Sequence, residues 1–253
     1  DFTKNFGGYN ASYPATFQVG SFFANGGREL YVQRLLHTDA AAAEVDLLTS
    51  GDATVATVTS KNAGTDGNNL RVVLSAGSVS GTYTLTLYKE SGIANNINDD
   101  ILLERYENVV FNDPTSSDYA ETVINLVSPN IAISNSASGT PVAATYPLTG
   151  GSNGTATVAA DFTSYKGSGS SVFERFSSLD RPLVVFLPTV NALSSGVVGV
   201  FDAATSWAEA NNGFVVLDTD PDLTVANAIS FAGSLTDTSN AAVYYPNVYI
   251  SDP

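Results

Sequence analysis

The 253-residue chain contains no cysteine and no methionine, and only one histidine and one tryptophan. The lack of cysteine excludes disulfide bonds and thiolate metal sites. Basic residues are also scarce, because ten Lys and Arg stand against 25 Asp and Glu, which gives a net charge of −15. This balance argues against nucleic-acid backbones and anionic membranes as partners. No apolar run approaches the roughly 18 residues of a membrane span.

Charged residues make up only 14% of the chain, against about 25% in an average globular protein. Hydrophobic residues make up 43%, with a mean hydropathy of +0.07, which is enough to bury a core. A surface with few charges and many Ser, Thr, Asn and Gly residues suits a subunit that faces copies of itself. Because the chain starts at Asp1 and ends directly after the strand-like VYI, we expect it to be a fragment of a longer protein.

The first forty residues predict a helix followed by a strand. In YPATFQVGSFF (13–23) the apolar residues fall roughly on one helical face, with Ser12 as the N-cap and Pro14 in the first turn. ANGG (24–27) ends the helix, because glycine adopts a left-handed backbone without strain. The following RELYVQRLL (28–36) alternates with the period of a strand, and we expect this strand to join the core sheet.

Residues from about 43 to 150 alternate between short apolar segments and turn-rich breaks. Strands interrupted this often predict a β-sandwich or a small barrel. One helix is predicted over residues 116–127, with a serine cap and apolar residues at helical spacing. The predicted strands are VDLLT (45–49), ATVATVTS (53–60), NLRVVLSA (69–76), TYTLTLYKE (82–90) and ILLERYENVVF (101–111).

The pattern changes after GGSNG (150–154), which we interpret as a hinge or domain junction. Two nearly continuous apolar runs, PLVVFLP (182–188) and GFVVLDTD (213–220), are each followed by a predicted helix. Apolar strands that alternate with helices indicate parallel strands with helices packed on the sheet. The helices are predicted over residues 194–211 and 222–234, and a last strand follows in AAVYYPNVYI (241–250).

Nucleophilic catalysis finds little support in the sequence. A Ser-His-Asp triad would have to use His37, and no G-x-S-x-G elbow occurs. The phosphate-binding patterns G-x-x-x-x-G-K-[ST] and G-x-G-x-x-G are missing as well. We therefore interpret His37 as a satisfied or surface histidine, and Trp207 as a core or interface residue.

Asp218, Asp220 and Asp222 are the best candidates for a metal site, because they alternate after an apolar strand. The segment does not match an EF-hand, which needs glycine and glutamate where this chain has Leu223 and Ile229. Carboxylates at the end of a parallel strand are also where α/β enzymes place catalytic groups. The simpler interpretation is a strand end followed by a helix start, where Asp220 and Asp222 favour the helix dipole.

Residues 95–100, NNINDD, are interpreted as a solvent-exposed acidic loop. From the residues alone we predict no catalytic, cofactor or metal site. Two alternatives stay open: a metal-dependent hydrolase that uses the three aspartates, and a β-sandwich binding or adhesion module, with or without calcium.

Five segments that together span the chain occur in a recognisable order: SFFANGGRELYVQRL (21–35), VTSKNAGTDGNNLRVVL (58–74), 106–134 from YENVVF to VSPNIAIS, PLTGGSNGT (147–155) and YYPNVYISDP (244–253). In this order they resemble the contractile tail sheath proteins of myovirus-type phages and related contractile injection systems. The family also has extended arms, which lend strands to neighbouring subunits, and we expect this fragment to be deficient in that linkage.

The resemblance implies a two-domain fold of the α+β or α/β class. A discontinuous α/β core domain, subtilisin-like in shape, would comprise residues 1–42 and 152–253. A β-rich domain, 43–151, would be inserted into it as a β-sandwich or small barrel, with Gly150 and Gly151 at the junction. Arg28 and Arg34 would be interface cations.

The implied function is structural, without catalysis or a cofactor. Subunits would stack as hexameric rings around an inner tail tube protein and contract on a signal from the baseplate, driving the tube through the host envelope. The implied partners are copies of the chain itself, the tube, the baseplate and the tail terminator, and neither nucleic acid nor a membrane. The implied location is the virion tail, assembled in the host cytoplasm.

Overall fold

The computed structural model describes residues 2–10, 13–91, 100–136, 138–165, 168–220 and 222–246. The chain divides into two compact units. Unit 1 comprises residues 1–38 together with 156–253, and unit 2 comprises residues 39–155. Across the described ranges, none of the helices combines the length and the apolar character that a membrane span requires.

The described chain contains six α-helices and ten strands, with three short 3-10 helices over Thr65–Asn69, Val172–Leu179 and Val190–Ala192. In chain order the elements are α1 (Phe2–Phe6), α2 (Ala15–Ala24), β1 (Glu44–Leu48), β2 (Thr54–Ser60), β3 (Leu70–Ala76), β4 (Tyr83–Lys89), β5 (Ile101–Val109), α3 (Ala120–Val127), β6 (Ile131–Asn135), β7 (Thr145–Pro147), α4 (Ala159–Thr163), β8 (Val184–Phe186), α5 (Val197–Ala210), β9 (Phe214–Asp218), α6 (Val225–Ala232) and β10 (Ala241–Tyr244).

Unit 2 consists of two antiparallel sheets, with strand orders β1-β2-β6 and β5-β4-β3-β7. Both sheets contribute alternate apolar side chains to one buried core, as the period of two in these strands requires. Neither sheet closes on itself within the described residues, so the small-barrel alternative is wrong and the five predicted strands are confirmed. Core residues from four of the strands are Val55, Val58, Val72, Leu74, Leu85, Leu87, Ile131 and Ile133.

Side chains and loops cover two of the sheet edges in unit 2. The Asn125 amide on α3 donates to the carbonyl of Ile133 at 2.8 Å and accepts from its N–H at 2.7 Å, as a neighbouring strand would. Along β1, Glu44 and Thr149 exchange both backbone hydrogen bonds, at 2.8 and 3.0 Å. Because an open strand edge is a template for pairing with another chain, these bonds protect part of the β6 and β1 edges, whereas β5 is also an outer strand of its sheet.

A buried ion pair joins β3 to the residues that flank β4 and β5. Arg71 is 5% exposed, and its Nη2 donates to Oδ1 of Asp100 at 2.8 Å. Its Nε lies 2.5 Å from Oδ2 of Asp100 without hydrogen-bond geometry, so that contact is purely between charges. Glu90 lies 3.3 Å from the same guanidinium. The Asp100 side chain is therefore buried, and the prediction of an exposed loop is wrong there; residues 95–99 lie outside the described ranges.

Unit 1 contains a parallel sheet with the order β10-β9-β8. The helix α5 packs on one face of this sheet through Val200, Phe201 and Ala204, which are all fully buried. Trp207 is 3% exposed, and its indole N–H donates to the Ser177 hydroxyl at 2.9 Å. The predictions of parallel strands and of a core tryptophan are confirmed.

Two helices begin differently from the prediction. Pro14, rather than Ser12, is the N-cap residue of α2, and Ser12 lies outside the described residues. The helix α3 begins only at Ala120, because the backbone of residues 118–120 first pairs with Val110. The predicted stop of α2 is confirmed, since Gly26 is left-handed at φ 89° and the N–H of Gly27 bonds back to Phe22.

The strand predicted over residues 28–36 is wrong. These residues belong to no sheet, and their backbones form no hydrogen bond with the backbone of any described residue. A period-two pattern arranges side chains on two faces, but a strand also needs a partner edge. The segment meets no such edge within the described chain.

Candidate functional site

A cavity of about 410 Å³ opens at the carboxyl end of the parallel sheet in unit 1. Open α/β sheets generally bind ligands at this end of their strands. No basic side chain occurs among the described residues that line it, which are Pro14, Gln18, Leu187, Pro188, Thr189, Asn191, Ala192, Asp218 and Asp220.

Hydrogen-bond acceptors dominate the polar lining of this cavity. Asp218 ends β9, and partial burial raises the pKa of its carboxyl group. The Asn191 amide donates to the backbone carbonyls of Asp218 and Thr219, at 2.7 and 3.1 Å. The Oε1 atom of Gln18 is buried and has no hydrogen-bond donor among the described residues. The cavity therefore suits a donor-rich group better than an anion.

The three aspartates of DTDPD do not converge on one point. The Asp220 carboxylate accepts from the backbone N–H of Asp222 at 2.9 Å, which forms a local turn. Thr224, not an aspartate, is the N-cap of α6, because its hydroxyl accepts from the N–H of Asn227 at 3.3 Å. In the described part of the chain, no group of three or more His, Cys, Asp or Glu residues is arranged to hold a metal.

His37 contacts the carboxylate of Asp161, with Nδ1 at 3.1 and 2.9 Å from its two oxygens. The Asp161 side chain is 3% exposed and also accepts from the N–H of Val158 at 2.8 Å, at the start of α4. The pair links parts of unit 1 that lie 124 residues apart. The interpretation of His37 as a satisfied histidine is confirmed, whereas its partner could not be found from local patterns.

Glycines at the end of unit 2 adopt conformations that side chains disfavour. Gly150 and Gly154 have φ values of 81° and 71°. A Cβ atom on Gly151 would lie 2.4 Å from the carbonyl oxygen of Gly64, so the backbones approach too closely for any side chain. The Asn68 amide donates to the carbonyl of Gly151 at 2.9 Å and accepts from its N–H at 2.7 Å. The predicted hinge is thus a tightly packed turn.

The two ends of unit 2 lie side by side. Ala41 and Ser152 exchange both backbone hydrogen bonds, each at 3.0 Å. The Asp39 carboxylate accepts from the backbone N–H of Thr155 at 3.0 and 3.1 Å. A Cβ atom on Gly154 would lie 2.4 Å from this carboxylate, so a residue with a side chain does not fit at this position.

Residues 28–36 present two different faces. Glu29 and Tyr31 face the remainder of unit 1, since Glu29 pairs with Arg181 at 2.8 Å and the Arg181 guanidinium lies 5.8 Å from the centre of the Tyr31 ring. Arg28 and Arg34 are exposed. Both arginines therefore lie where a partner can reach them.

Arg28 and Arg34 also differ from the other described cations. Neither side chain makes a hydrogen bond, an ion pair or a ring contact with a described residue. Six other cations have partners within their own unit: Lys61, Arg71, Lys89, Arg105, Arg175 and Arg181.

No protein-family model matches the chain, and no curated protein matches it. The chain is similar to the crystal structure of a sheath tail protein from Desulfitobacterium hafniense, with 16% identity and a TM-score of 0.48, over 91% of this chain and 44% of that one. It is also similar to a sheath tail protein from Listeria innocua, with 13% identity and a TM-score of 0.45, over 74% of this chain and 36% of that one. The chain spans less than half the length of either protein.

Proposed function

We propose that this chain is a structural subunit of a contractile tail sheath and that it polymerises with copies of itself around an inner tube. The observation that carries the proposal is the course of the chain: the sequence of unit 2 interrupts that of unit 1. The ends of unit 2 are tied together by Asp39 and Thr155, as expected of a domain inserted into another. The resemblance of five sequence segments to sheath proteins implies the same arrangement.

In this proposal the α/β core domain, 1–42 with 152–253 and subtilisin-like in shape, holds the subunit in its lattice. The β-rich domain, 43–151, is inserted into it at Gly150 and Gly151. Each subunit moves as a nearly rigid body during contraction, because packed cores switch between discrete arrangements rather than deform continuously. The partners are copies of the chain in hexameric rings, the inner tube, the baseplate and the tail terminator, and the location is the virion tail.

Exposed apolar residues in unit 1 support a role in self-association. Val225 and Ile229 lie one turn apart on α6 and are 62% and 69% exposed. Val184 on β8 is 67% exposed, and Tyr244 on β10 is 56% exposed. Parallel sheets and their helices are normally covered on both faces, so these residues favour contact with further protein.

The alternative function of a metal-dependent hydrolase is not supported by the arrangement of the three aspartates. The Asp218, Asp220 and Asp222 carboxylates would have to converge for metal-assisted hydrolysis, but Asp220 is engaged in a local turn with the backbone of Asp222. The acceptor-lined cavity offers a binding surface rather than an assembled catalytic group.

Sedimentation velocity over a range of concentrations, followed by electron microscopy of negatively stained samples, tests the proposal. We expect concentration-dependent association of this chain, and ring-like or tubular particles when it is joined to arms that lend strands to neighbouring subunits. A chain with such arms that stays monomeric at every concentration and ionic strength contradicts the proposal. A calcium titration of the melting temperature serves as the control for the adhesion alternative: we expect no shift, and a rise with calcium would favour that alternative.

A further inference from the structure

We infer that residues 28–34 form a contact surface for a second copy of this chain, in which Arg28 and Arg34 bind carboxylates of that copy. The inference rests on the proposed function and specifies one contact of the assembly. It is carried by three observations: the backbone groups of the segment that pair with no described backbone, the difference between its two faces, and the lack of a described partner for its two arginine side chains.

Most backbone groups of residues 28–34 have no hydrogen-bond partner among the described residues. The N–H and C=O groups of this segment form no hydrogen bond with the backbone of any described residue. The carbonyl of Arg34 accepts from the side-chain amide of Gln33 at 2.7 Å, and the remaining groups can bind water or another chain. An exposed strand-like segment is a frequent site for strand addition. The side-chain pattern is already that of a strand, because the Tyr31 hydroxyl donates to the Glu29 carboxylate at 2.5 Å across one intervening residue.

One face of the segment is anchored and the other is available. Glu29 and Tyr31 are held by Arg181 of the same unit. In a strand, alternate side chains share one face, so pairing of this segment with another chain would place Arg28, Leu30, Val32 and Arg34 together on the opposite face. Val32 is 42% exposed and both arginines are exposed, whereas Leu30 is half-buried. This face is apolar in the middle and cationic at both ends, about 20 Å apart at the rise of a strand.

Charge complementarity identifies the partner as an acidic protein surface, and a second copy of the chain supplies one. The chain has 25 acidic residues and only ten basic ones. Six of the described cations already contact their own unit, so the remaining carboxylates exceed the cations that could neutralise them. The apolar middle at Val32 favours a protein surface over a small anion, which would engage the guanidinium groups alone.

Charge reversal with a matched control tests the contact. In the double variant Arg28→Glu, Arg34→Glu we expect the association constant from sedimentation to fall by about tenfold or more, because like charges then face each other. The control is Arg105→Glu, Glu107→Arg, which exchanges an exposed ion pair of unit 2 and should change association by less than about twofold. The fluorescence of the single tryptophan, Trp207, verifies that unit 1 is folded in each variant.

Crosslinking identifies the carboxylates that are contacted. The variant Arg28→Lys, Arg34→Lys keeps the charges and introduces amines, which carbodiimide joins to carboxylates in direct contact. Isotope-labelled and unlabelled chains are mixed before the reaction, so that crosslinks between copies can be distinguished from crosslinks within one chain. We expect crosslinks from positions 28 and 34 to Asp or Glu residues of the other copy.

The outcomes separate this inference from the proposed function. If the charge-reversed chain associates as tightly as the parent, or if positions 28 and 34 crosslink only within their own chain, the inference is overturned while the sheath proposal stands. If the parent chain never associates, even when it is joined to arms that lend strands, both are overturned. Weakened association of the reversed variant together with crosslinks between copies supports the contact.

Discussion

Unit 2 and unit 1 differ in how many of their polar groups are paired, and how many of their apolar side chains are buried, within the unit itself. In unit 2, Asn125 and Thr149 cover two strand edges, and Arg71 neutralises a buried carboxylate. In unit 1, a strand-like segment has unused backbone groups, and the helix α6 leaves Ile229 69% exposed. Twelve large apolar residues of unit 1 are exposed among the described residues, against six in unit 2.

The difference shows which part of the molecule can exist alone. A domain that pairs its buried charges and protects two of its sheet edges internally offers a partner fewer unsatisfied groups. A unit with exposed apolar side chains and unpaired cations is stabilised further when another surface covers them. We therefore place the contacts of the proposed assembly mainly on unit 1, and the predictions below test that assignment in order of expected effect.

The largest effect is expected for Arg71→Met, which leaves the buried Asp100 carboxylate without its cation. Breaking one partner of a buried ion pair costs about 3–5 kcal/mol of folding free energy. Urea denaturation followed by circular dichroism measures the loss in unit 2, while Trp207 fluorescence follows unit 1 separately.

Lys89→Met is the matched control for Arg71→Met, because it breaks the exposed Lys89–Asp66 pair. We expect it to cost no more than about 0.5 kcal/mol. If both variants lose equal stability, the buried pair does not contribute as described. If the fluorescence transition shifts together with the circular dichroism, the two units do not unfold independently, and the comparison between them fails.

A smaller effect is expected for Gly154→Ala, at the tie between the ends of unit 2. The residue has φ 71°, and a Cβ atom would meet the Asp39 carboxylate at 2.4 Å. Left-handed strain and overpacking together should cost about 2–3 kcal/mol in urea denaturation.

Gly150→Ala separates the two causes in Gly154→Ala. Its φ is 81°, but a Cβ atom would meet nothing within 4 Å. Only the strain remains, so we expect a loss of about 1 kcal/mol. An equal loss in both variants would show that contact with Asp39 is unimportant at Gly154.

The smallest effect concerns Asp218 in the acceptor-lined cavity. Burial raises its pKa above the ordinary value of 3.8, so the folded chain keeps the proton over a pH range in which the unfolded chain has released it. Folding stability therefore falls as the pH rises above that value, and the loss persists at neutral pH. Asp218→Asn should stabilise the chain at pH 7 by about 0.5 kcal/mol or less, since the half-exposed carboxyl is screened by water.

Urea denaturation at pH 7 and at pH 3 checks the sign for Asp218→Asn. The gain should vanish at pH 3, where both states hold the proton. Asp222→Asn removes the same charge from an exposed side chain and controls for the net charge of −15. A gain of equal size in the control would assign the effect to net charge rather than to burial.

Local patterns predicted β1 to β5 of unit 2 and the helix α5 well, because each carries its periodicity in consecutive residues, whereas β6 and β7 were not predicted. The same reasoning failed for residues 28–36, which alternate less regularly than β4 because Leu30, Tyr31 and Val32 are consecutive apolar residues. Alternation reports how side chains are distributed, but a strand also requires an unoccupied edge at the right place. That requirement depends on residues elsewhere in the chain and cannot be read from the segment itself.

The buried ion pair and the histidine–aspartate contact could not be predicted from the sequence either, because each joins residues that are far apart along the chain. Arg71 and Asp100 lie 29 residues apart, and His37 and Asp161 lie 124 residues apart. Nothing in the sequence around Asp100 distinguishes it from Asp99, the preceding residue of NNINDD. By contrast, Gly150 and Gly151 were singled out as a hinge or domain junction, because a glycine pair indicates unusual backbone regardless of what packs against it.

The adjacency of residues 39 and 155 also matters for protein engineering. Chain ends that lie this close can be rejoined by a short linker, so unit 2 could be removed from a longer host chain and replaced by a foreign domain with similarly spaced ends. This replacement would leave the parallel sheet and the helices of unit 1 unchanged in sequence. In a polymer of such chains, every copy would then display the foreign domain at a regular spacing.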